Sequence, residues 1–195
     1  MRVAFMGTPD LAATSLRSLL GSRHEVVAVV SQPDRPSGRG RTVSPTPVAA
    51  VARAAEVPLL QPPSVGTAEF RAWLAQYTPD IAVVAAFGRI LGPKLLALPR
   101  LGSINVHASL LPRWRGASPI QAAIIAGDSA TGVTIMQMVR ELDAGDILHA
   151  VETPIAETDT AATLHDRLAD LGGAALLDTL DQIEAGGAVA VPQDQ

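Results

Sequence analysis

Asn105 and His107 stand two residues apart in Ser103-Ile104-Asn105-Val106-His107, a run that reads as a strand. Residues two apart in a strand face the same way, so both side chains can reach one small group. An Asn amide can donate to an oxygen that gains negative charge, and an imidazole can share that oxygen or carry a proton. Ser109 and Pro112 follow, then Arg113-Trp114-Arg115, Gly116 and a helix with Pro119 in its first turn and Ala117 or Ser118 as its cap. Strand, polar pair, loop and helix is the layout of a site at the carboxyl end of a parallel-sheet strand. Either polar residue alone is as readily a hydrogen-bonding residue of the fold. The two together, ahead of a Pro- and Arg-containing loop, favour a site. A carboxylate can come from the turn Glu141-Leu142-Asp143-Ala144-Gly145-Asp146. Asp143 or Asp146 either forms that turn beside Gly or reaches His107 and orients its ring.

The elements that must position these residues read as an α/β pattern. Arg2 to Met6 is an apolar strand, and Gly7-Thr8-Pro9-Asp10 turns it into a helix with Thr8 as N-cap, Pro9 at its first position and Gly21 at its end. Glu25 to Ser31 is a second buried strand. Val48–Glu56 and Thr67–Tyr77 read as helices around a short strand at 57–61, with Phe70, Trp73, Leu74 and Tyr77 as core. Asp80 to Phe87 is apolar after its first residue, as a central parallel strand is. The loop Gly88 to Pro93 after it can offer backbone amides to a flat heterocycle or simply turn the chain. A short helix at 93–97, strands over 131–138 and 147–155, and a helix over 160–185 complete the pattern. Leu164, Leu168, Leu171, Leu177, Leu180 and Ile183 face inward in the last segment, which reads either as one helix or as a helix pair divided at Gly172-Gly173. The fold class is α/β: a doubly wound, mostly parallel, Rossmann-like sheet. The first turn lacks Gly-x-Gly-x-x-Gly, and Gln32-Pro33 directly follows the second strand in place of an acidic residue to hold a ribose, which speaks against a dinucleotide.

Gln32 to Pro47 holds four prolines, two glycines and three arginines, and reads as a long loop rather than an element. Arg35, Arg39 and Arg41 make it locally basic on a chain of net charge -4. A long loop inside a compact domain is more often functional than idle. The net charge itself excludes a surface that coats nucleic acid uniformly. With no cysteine there is no disulfide and no thiolate chemistry, and the four histidines lack ligand spacing, so no metal is expected. No apolar run spans a bilayer and no export signal opens the chain, so the expected setting is the cytoplasm, without a membrane partner.

Four separated pieces carry a resemblance: Phe5 to Asp10, Gln32 to Gly40, Asn105 to Gln121 and Gly132 to Gly145. In that order they resemble the folate-dependent formyltransferases. Asn105-Val106-His107-Ala108-Ser109-Leu110-Leu111-Pro112 marks the wider group, and Pro33 to Gly40 resembles the loop of the bacterial branch that acts on methionyl-tRNA in translation initiation. The resemblance implies a formyltransferase-type fold and formyl transfer from 10-formyltetrahydrofolate, the cosubstrate, to the α-amino group of methionyl-initiator tRNA. It implies Asn105, His107 and Asp143 as catalytic residues. It implies Phe87, Gly88, Leu91, Ser109, Leu110, Leu111, Pro112 and Met138 as folate contacts, and Arg35, Arg39 and Arg41 as tRNA contacts. It also implies a monomer in which residues 1–188 form the catalytic domain and 189–195 begin an interdomain linker or form a C-terminal tail; that family carries a C-terminal tRNA-gripping domain, and the chain is expected to be either a fragment or a catalytic domain working alone. The alternatives are transfer to an amino sugar or other small amine, and a noncatalytic folate- or nucleotide-binding module. The Arg35/Arg39/Arg41 loop fits a polyanion better than a small sugar.

Overall fold

The computed structural model describes residues 1–37 and 42–194. The chain divides into two compact units, Met1–Ser103 and Ile104–Gln195. In the first unit β1 (Arg2–Gly7), β2 (Glu25–Val30), β5 (Leu59–Leu60) and β6 (Ile81–Ala85) are all paired in parallel, in the order β5-β2-β1-β6. Helices α1 (Asp10–Leu20), α2 (Pro47–Ala54) and α3 (Ala68–Ala75) connect them, and α4 (Pro93–Leu96) follows β6. β6 is buried along its whole length, as its unbroken apolar run requires. The expected α/β class, with a mostly parallel sheet, is therefore observed.

Gly7 is fixed by close approach. A Cβ there would lie 2.6 Å from Ala12 Cβ and 2.9 Å from the Ala85 carbonyl oxygen. The helix after it starts one residue later than expected. Pro9 is the N-cap with no side-chain cap bond, and Thr8 Oγ1 instead donates to the Phe87 carbonyl at 3.2 Å. Asp10 in the first turn offsets the positive end of the helix. In α3, Phe70 and Leu74 are buried while Trp73 and Tyr77 are half-buried, so the stripe is only partly core. The rings still pack in sequence, Phe70 on Trp73 at 6.5 Å between centroids and Trp73 edge-on to Tyr77 at 5.0 Å.

The stretch Gln32 to Pro47 is not wholly a loop. β3 (Arg35–Ser37) pairs antiparallel with β4 (Thr42–Ser44), with Arg35 opposite Ser44. Three-residue strands with a proline among them leave no periodic signal, which is why composition alone suggests a loop. Asp34 anchors the base of this hairpin. Its Oδ1 accepts from Gln61 Nε2 at 2.6 Å and from the Thr46 backbone N–H at 3.2 Å, and its Oδ2 accepts from Arg53 at 3.0 Å.

The second unit is an antiparallel ladder, β7 (Ser103–His107), β8 (Ala130–Gln137) and β9 (Ile147–Pro154), in that order, with α5 (Pro119–Ala126) and α6 (Ala161–Glu184). α6 is continuous through Gly172-Gly173 rather than interrupted. A Cβ at Gly172 would stand 3.1 Å from Val106 Cγ1, so the missing side chain lets the helix approach β7 closely. That packing offsets the roughly 1 kcal/mol that glycine costs in a helix interior. Leu164, Leu168, Leu176 and Leu180 are fully buried, whereas Leu171, Leu177 and Ile183 are half-buried. A reciprocal capping box between Thr160 and Thr163 starts the helix. Among the described residues no helix is long and apolar enough to cross a membrane. Residues 189–194 stay with this unit, because Val191 and Ile147 exchange backbone hydrogen bonds at 2.8 Å.

The Asp34 carboxyl sits below the usual carboxylate range, first through the Gln61 hydrogen bond and then through Arg53 and the Thr46 N–H, with burial opposing. A carboxylate with a depressed folded-state pKa contributes stability above its unfolded pKa and loses that contribution as pH falls through the folded value. Asp34→Asn should therefore cost about 1–2 kcal/mol at pH 7, and the difference from wild type should shrink below about pH 4. Urea unfolding at several pH values measures this; a gap that is as large at pH 3 as at pH 7 would show that charge is not the cause.

Candidate active site

β7 alternates. Val106 meets α6 at Gly172, so Asn105 and His107 project from the opposite face of the strand. Opposite them on β8 stand Met136 and Thr134. Thr134, fully buried, donates to the Ser109 carbonyl at 2.7 Å and accepts from the Leu111 N–H at 3.1 Å. One side chain thus fixes how the chain leaves the strand.

The imidazole of His107 is buried between two acceptors. Nε2 lies 3.0 Å from the carbonyl oxygen of Trp114, which can only accept, so Nε2 carries a proton. Nδ1 faces Asp143 Oδ2 at 3.7 Å, within ion-pair reach but beyond a direct hydrogen bond. The same carboxylate oxygen accepts from the Gly116 N–H at 2.8 Å. Of the two acidic candidates in the turn, Asp143 is the one brought to His107. Asp146 contributes its carbonyl to the Gln137 N–H at 2.9 Å instead.

Neither acceptor sits in regular structure. Trp114 has φ +62° and Asp143 φ +49°; Ser118, one of the two expected caps, is the N-cap of α5, with φ +61° and no side-chain cap bond. The loop from Arg113 to Gly116 is braced at each residue. Arg113 pairs with Asp128 through both Nε (2.9 Å) and Nη2 (2.6 Å), and its guanidinium lies 4.4 Å over the Trp114 ring. Trp114 Nε1 donates to Asp128 Oδ2 at 2.7 Å. These bonds, Arg113 foremost and Trp114 next, hold the Asp128 carboxyl below the usual range. Arg115 donates to Gln193 Oε1. The two arginines therefore serve the loop's own structure. Asp128 and Gln193 went unnoticed in the sequence, because they lie 15 and 78 residues from their partners.

Asn105 differs from its neighbours. It is 9% exposed, and no other described residue bonds to its side-chain amide. A braced imidazole–carboxylate pair beside an unengaged amide donor can take a proton from one atom, return it to another, and steady an oxygen that becomes negative.

The other sequence-derived residues divide between the units. In the first, Phe87 and Leu91 are buried and Gly88, at φ +73°, is exposed. The Phe87 carbonyl accepts from Gln32 Nε2 at 2.9 Å as well as from Thr8, so the start of this loop is fixed. Arg35 is exposed and donates to Gln32 Oε1 at 3.1 Å, while Arg39 and Arg41 lie outside the described residues. In the second unit the Ser109 hydroxyl is fully buried and donates to the Arg113 carbonyl at 2.6 Å, which leaves Leu110 and Pro112 as the reachable part of that segment. Leu110 is half-buried, Leu111 buried and Pro112 exposed behind a cis Leu111–Pro112 bond; Met138 is half-buried beyond the end of β8.

A family model described as formyl transferase matches residues 1–180. A methionyl-tRNA formyltransferase of Chromohalobacter salexigens is 54% identical over 193 residues, which is 99% of this chain and 59% of that protein. One from Pseudomonas fluorescens is 52% identical over 194 residues, 100% of this chain and 61% of that protein. The chain thus spans about three-fifths of the length of these curated relatives. Among solved structures, glycinamide ribonucleotide transformylase 1 from Symbiobacterium toebii superposes with a TM-score of 0.79 at 21% identity, covering 100% of this chain and 94% of that one. At that identity the likeness is one of fold.

Because the Asn105 amide has no partner to lose among the described residues, Asn105→Leu should melt at or above the wild-type temperature. Thr134→Val, which strands a buried N–H, should cost about 2 kcal/mol. Thermal unfolding of both variants compares them, and an equal fall for Asn105→Leu would assign the amide to the fold.

Proposed function

The chain belongs to the formyl transferase family, and from that premise we propose that it transfers the formyl group of 10-formyltetrahydrofolate to the α-amino group of methionyl-initiator tRNA. The observation that carries the reading is the constellation of Asn105, His107 and Asp143 in a chain 54% identical to a methionyl-tRNA formyltransferase across nearly its whole length. The amino-sugar and noncatalytic alternatives draw no such support.

The chemistry follows from the residues. An α-amino group titrates at about 7.7–8.0 in peptides and must be neutral to attack. Its nitrogen bonds to the formyl carbon, and the formyl oxygen becomes negative. Asn105, whose amide has no competing partner, donates to that oxygen; losing one such donor costs roughly 2.7–4 kcal/mol in other enzymes. His107 takes the amine's proton at Nδ1, the nitrogen whose protein neighbour stands at the longer distance, while Nε2 stays anchored on the Trp114 carbonyl. Asp143 orients the ring and balances its positive charge. The proton then passes to N10 of the folate as the bond between N10 and the formyl carbon breaks. No hydride or phosphoryl step is involved.

In this reading the folate contacts are those that the family resemblance implies: Phe87, Gly88, Leu91, Ser109, Leu110, Leu111, Pro112 and Met138. Arg35, Arg39 and Arg41 meet the phosphates of the tRNA.

Asp143→Ala and His107→Asn should each lower kcat on the order of 100-fold or more while folate binding persists. Steady-state formylation with a distant control, His165→Asn, is the measurement; a loss at His107 no larger than at His165 would remove His107 from the mechanism. Replacing Arg39 and Arg41 with Ala should weaken tRNA binding and flatten its salt dependence by roughly 0.9 in the log–log slope for each lost phosphate contact on a duplex. Folate affinity should stay constant. An unchanged slope would deny the loop its role.

A further inference from the structure

Gln193 lies after α6, outside every motif, and its carboxamide is engaged at both ends. Nε2 donates to the carbonyl oxygens of Asp143 at 3.0 Å and Gly145 at 2.7 Å, and Oε1 accepts from Arg115 Nε at 3.0 Å and Nη2 at 2.8 Å. Two residues earlier, the paired backbone hydrogen bonds between Val191 and Ile147 fix where this side chain starts. One planar group therefore ties the Asp143 turn to the Arg113–Gly116 loop. Each of those segments supplies one of the acceptors around His107.

The chemistry of the contact selects an amide. The two carbonyls need a donor and the guanidinium needs an acceptor, so glutamate meets only the second need and lysine only the first. Asp143 depends on such a tie. At φ +49° it lies in the left-handed region, which Asp visits more readily than most L-residues but which leaves the turn outside regular structure and dependent on its neighbours' bonds. Its carboxylate must at the same time accept from the Gly116 N–H and face Nδ1 of His107. A turn that relaxed by an ångström would lose both.

We infer that Gln193 is a positioning residue for the reaction proposed above, acting through Asp143 and Gly116 on His107 rather than on the substrate. The inference rests on the formyl-transfer reading for its kinetic consequence, but its structural consequence can be read without any substrate.

Gln193→Glu keeps the partner of Arg115 and removes the donor to the two carbonyls, whereas Gln193→Met keeps the bulk and removes both. For Gln193→Glu, kcat for formylation of methionyl-tRNA should fall roughly 10- to 100-fold, with KM for the formyl donor held within about twofold. In the substrate-free protein the Gly116 amide, bonded to the Asp143 carboxylate, should shift in its NMR resonance and exchange with solvent faster in both variants, while amides in the middle of α6 stay protected. A Gly116 amide unchanged in Gln193→Glu would overturn the inference, as would a loss of activity that appears only as a raised KM or together with loss of α6 protection. If the wild-type protein transferred no formyl group, the function above would fall, and the Gly116 amide would still decide whether Gln193 positions Asp143.

Discussion

The imidazole of His107 is held between a carbonyl and a carboxylate, and neither acceptor can be delivered by regular secondary structure. The Trp114 carbonyl and the Asp143 side chain each come from a residue with positive φ. Such conformations cost on the order of 1–3 kcal/mol each, so the site exists only because surrounding bonds outweigh that cost. The bidentate Arg113–Asp128 pair and the Trp114 indole bond to the same carboxylate hold one turn. The Gln193 carboxamide and the Gly116 N–H hold the other. The fold around these turns is best understood as the frame that supplies those partners at the right places.

The antiparallel ladder of the second unit is the base of that frame. Thr134 stands in register with His107 across β7 and β8, and its hydroxyl fixes the Ser109 carbonyl and the Leu111 N–H. The residue opposite the imidazole thus also directs the loop that returns to it. On the other face of β7, Val106 packs at Gly172, where a helix with a larger residue would stand farther off. Alternation along five residues separates packing from chemistry, with Ile104 and Val106 on one side and Asn105 and His107 on the other.

Much of this was legible in the sequence where the signal was local. Apolar runs marked β1, β2 and β6, helical spacing marked α1 and α6, and the interval between Asn105 and His107 marked the site. What stayed hidden depends on partners far along the chain. Spacing allowed Asp143 and Asp146 equally, and only the path of the turn separates them. Thr8 has the chemistry of an N-cap, yet the Phe87 carbonyl, 79 residues away, takes its hydroxyl. Arg113 and Arg115 showed in the sequence only as part of an Arg-containing loop, because a charge is visible there and a bidentate partner is not. Gly172-Gly173 looked like a break because propensity counts the cost of glycine and not the approach it permits. The β3–β4 hairpin was missed because its strands are too short to show a period.

The polar groups of the site fall into two classes, and the division bears on mechanism. His107, Asp143, Ser109 and Thr134 all have protein partners, whereas the Asn105 amide has none among the described residues. An acid–base group and an oxyanion donor have opposite requirements. The first must be held at one angle and in one tautomer, so it is braced by protein acceptors. The second must be free when charge appears on the reacting oxygen, because a protein acceptor would have to be displaced first, at a cost equal to the bond it made. In the proposed reaction, a rigidly held His107 beside an unengaged Asn105 would satisfy both requirements within one five-residue strand.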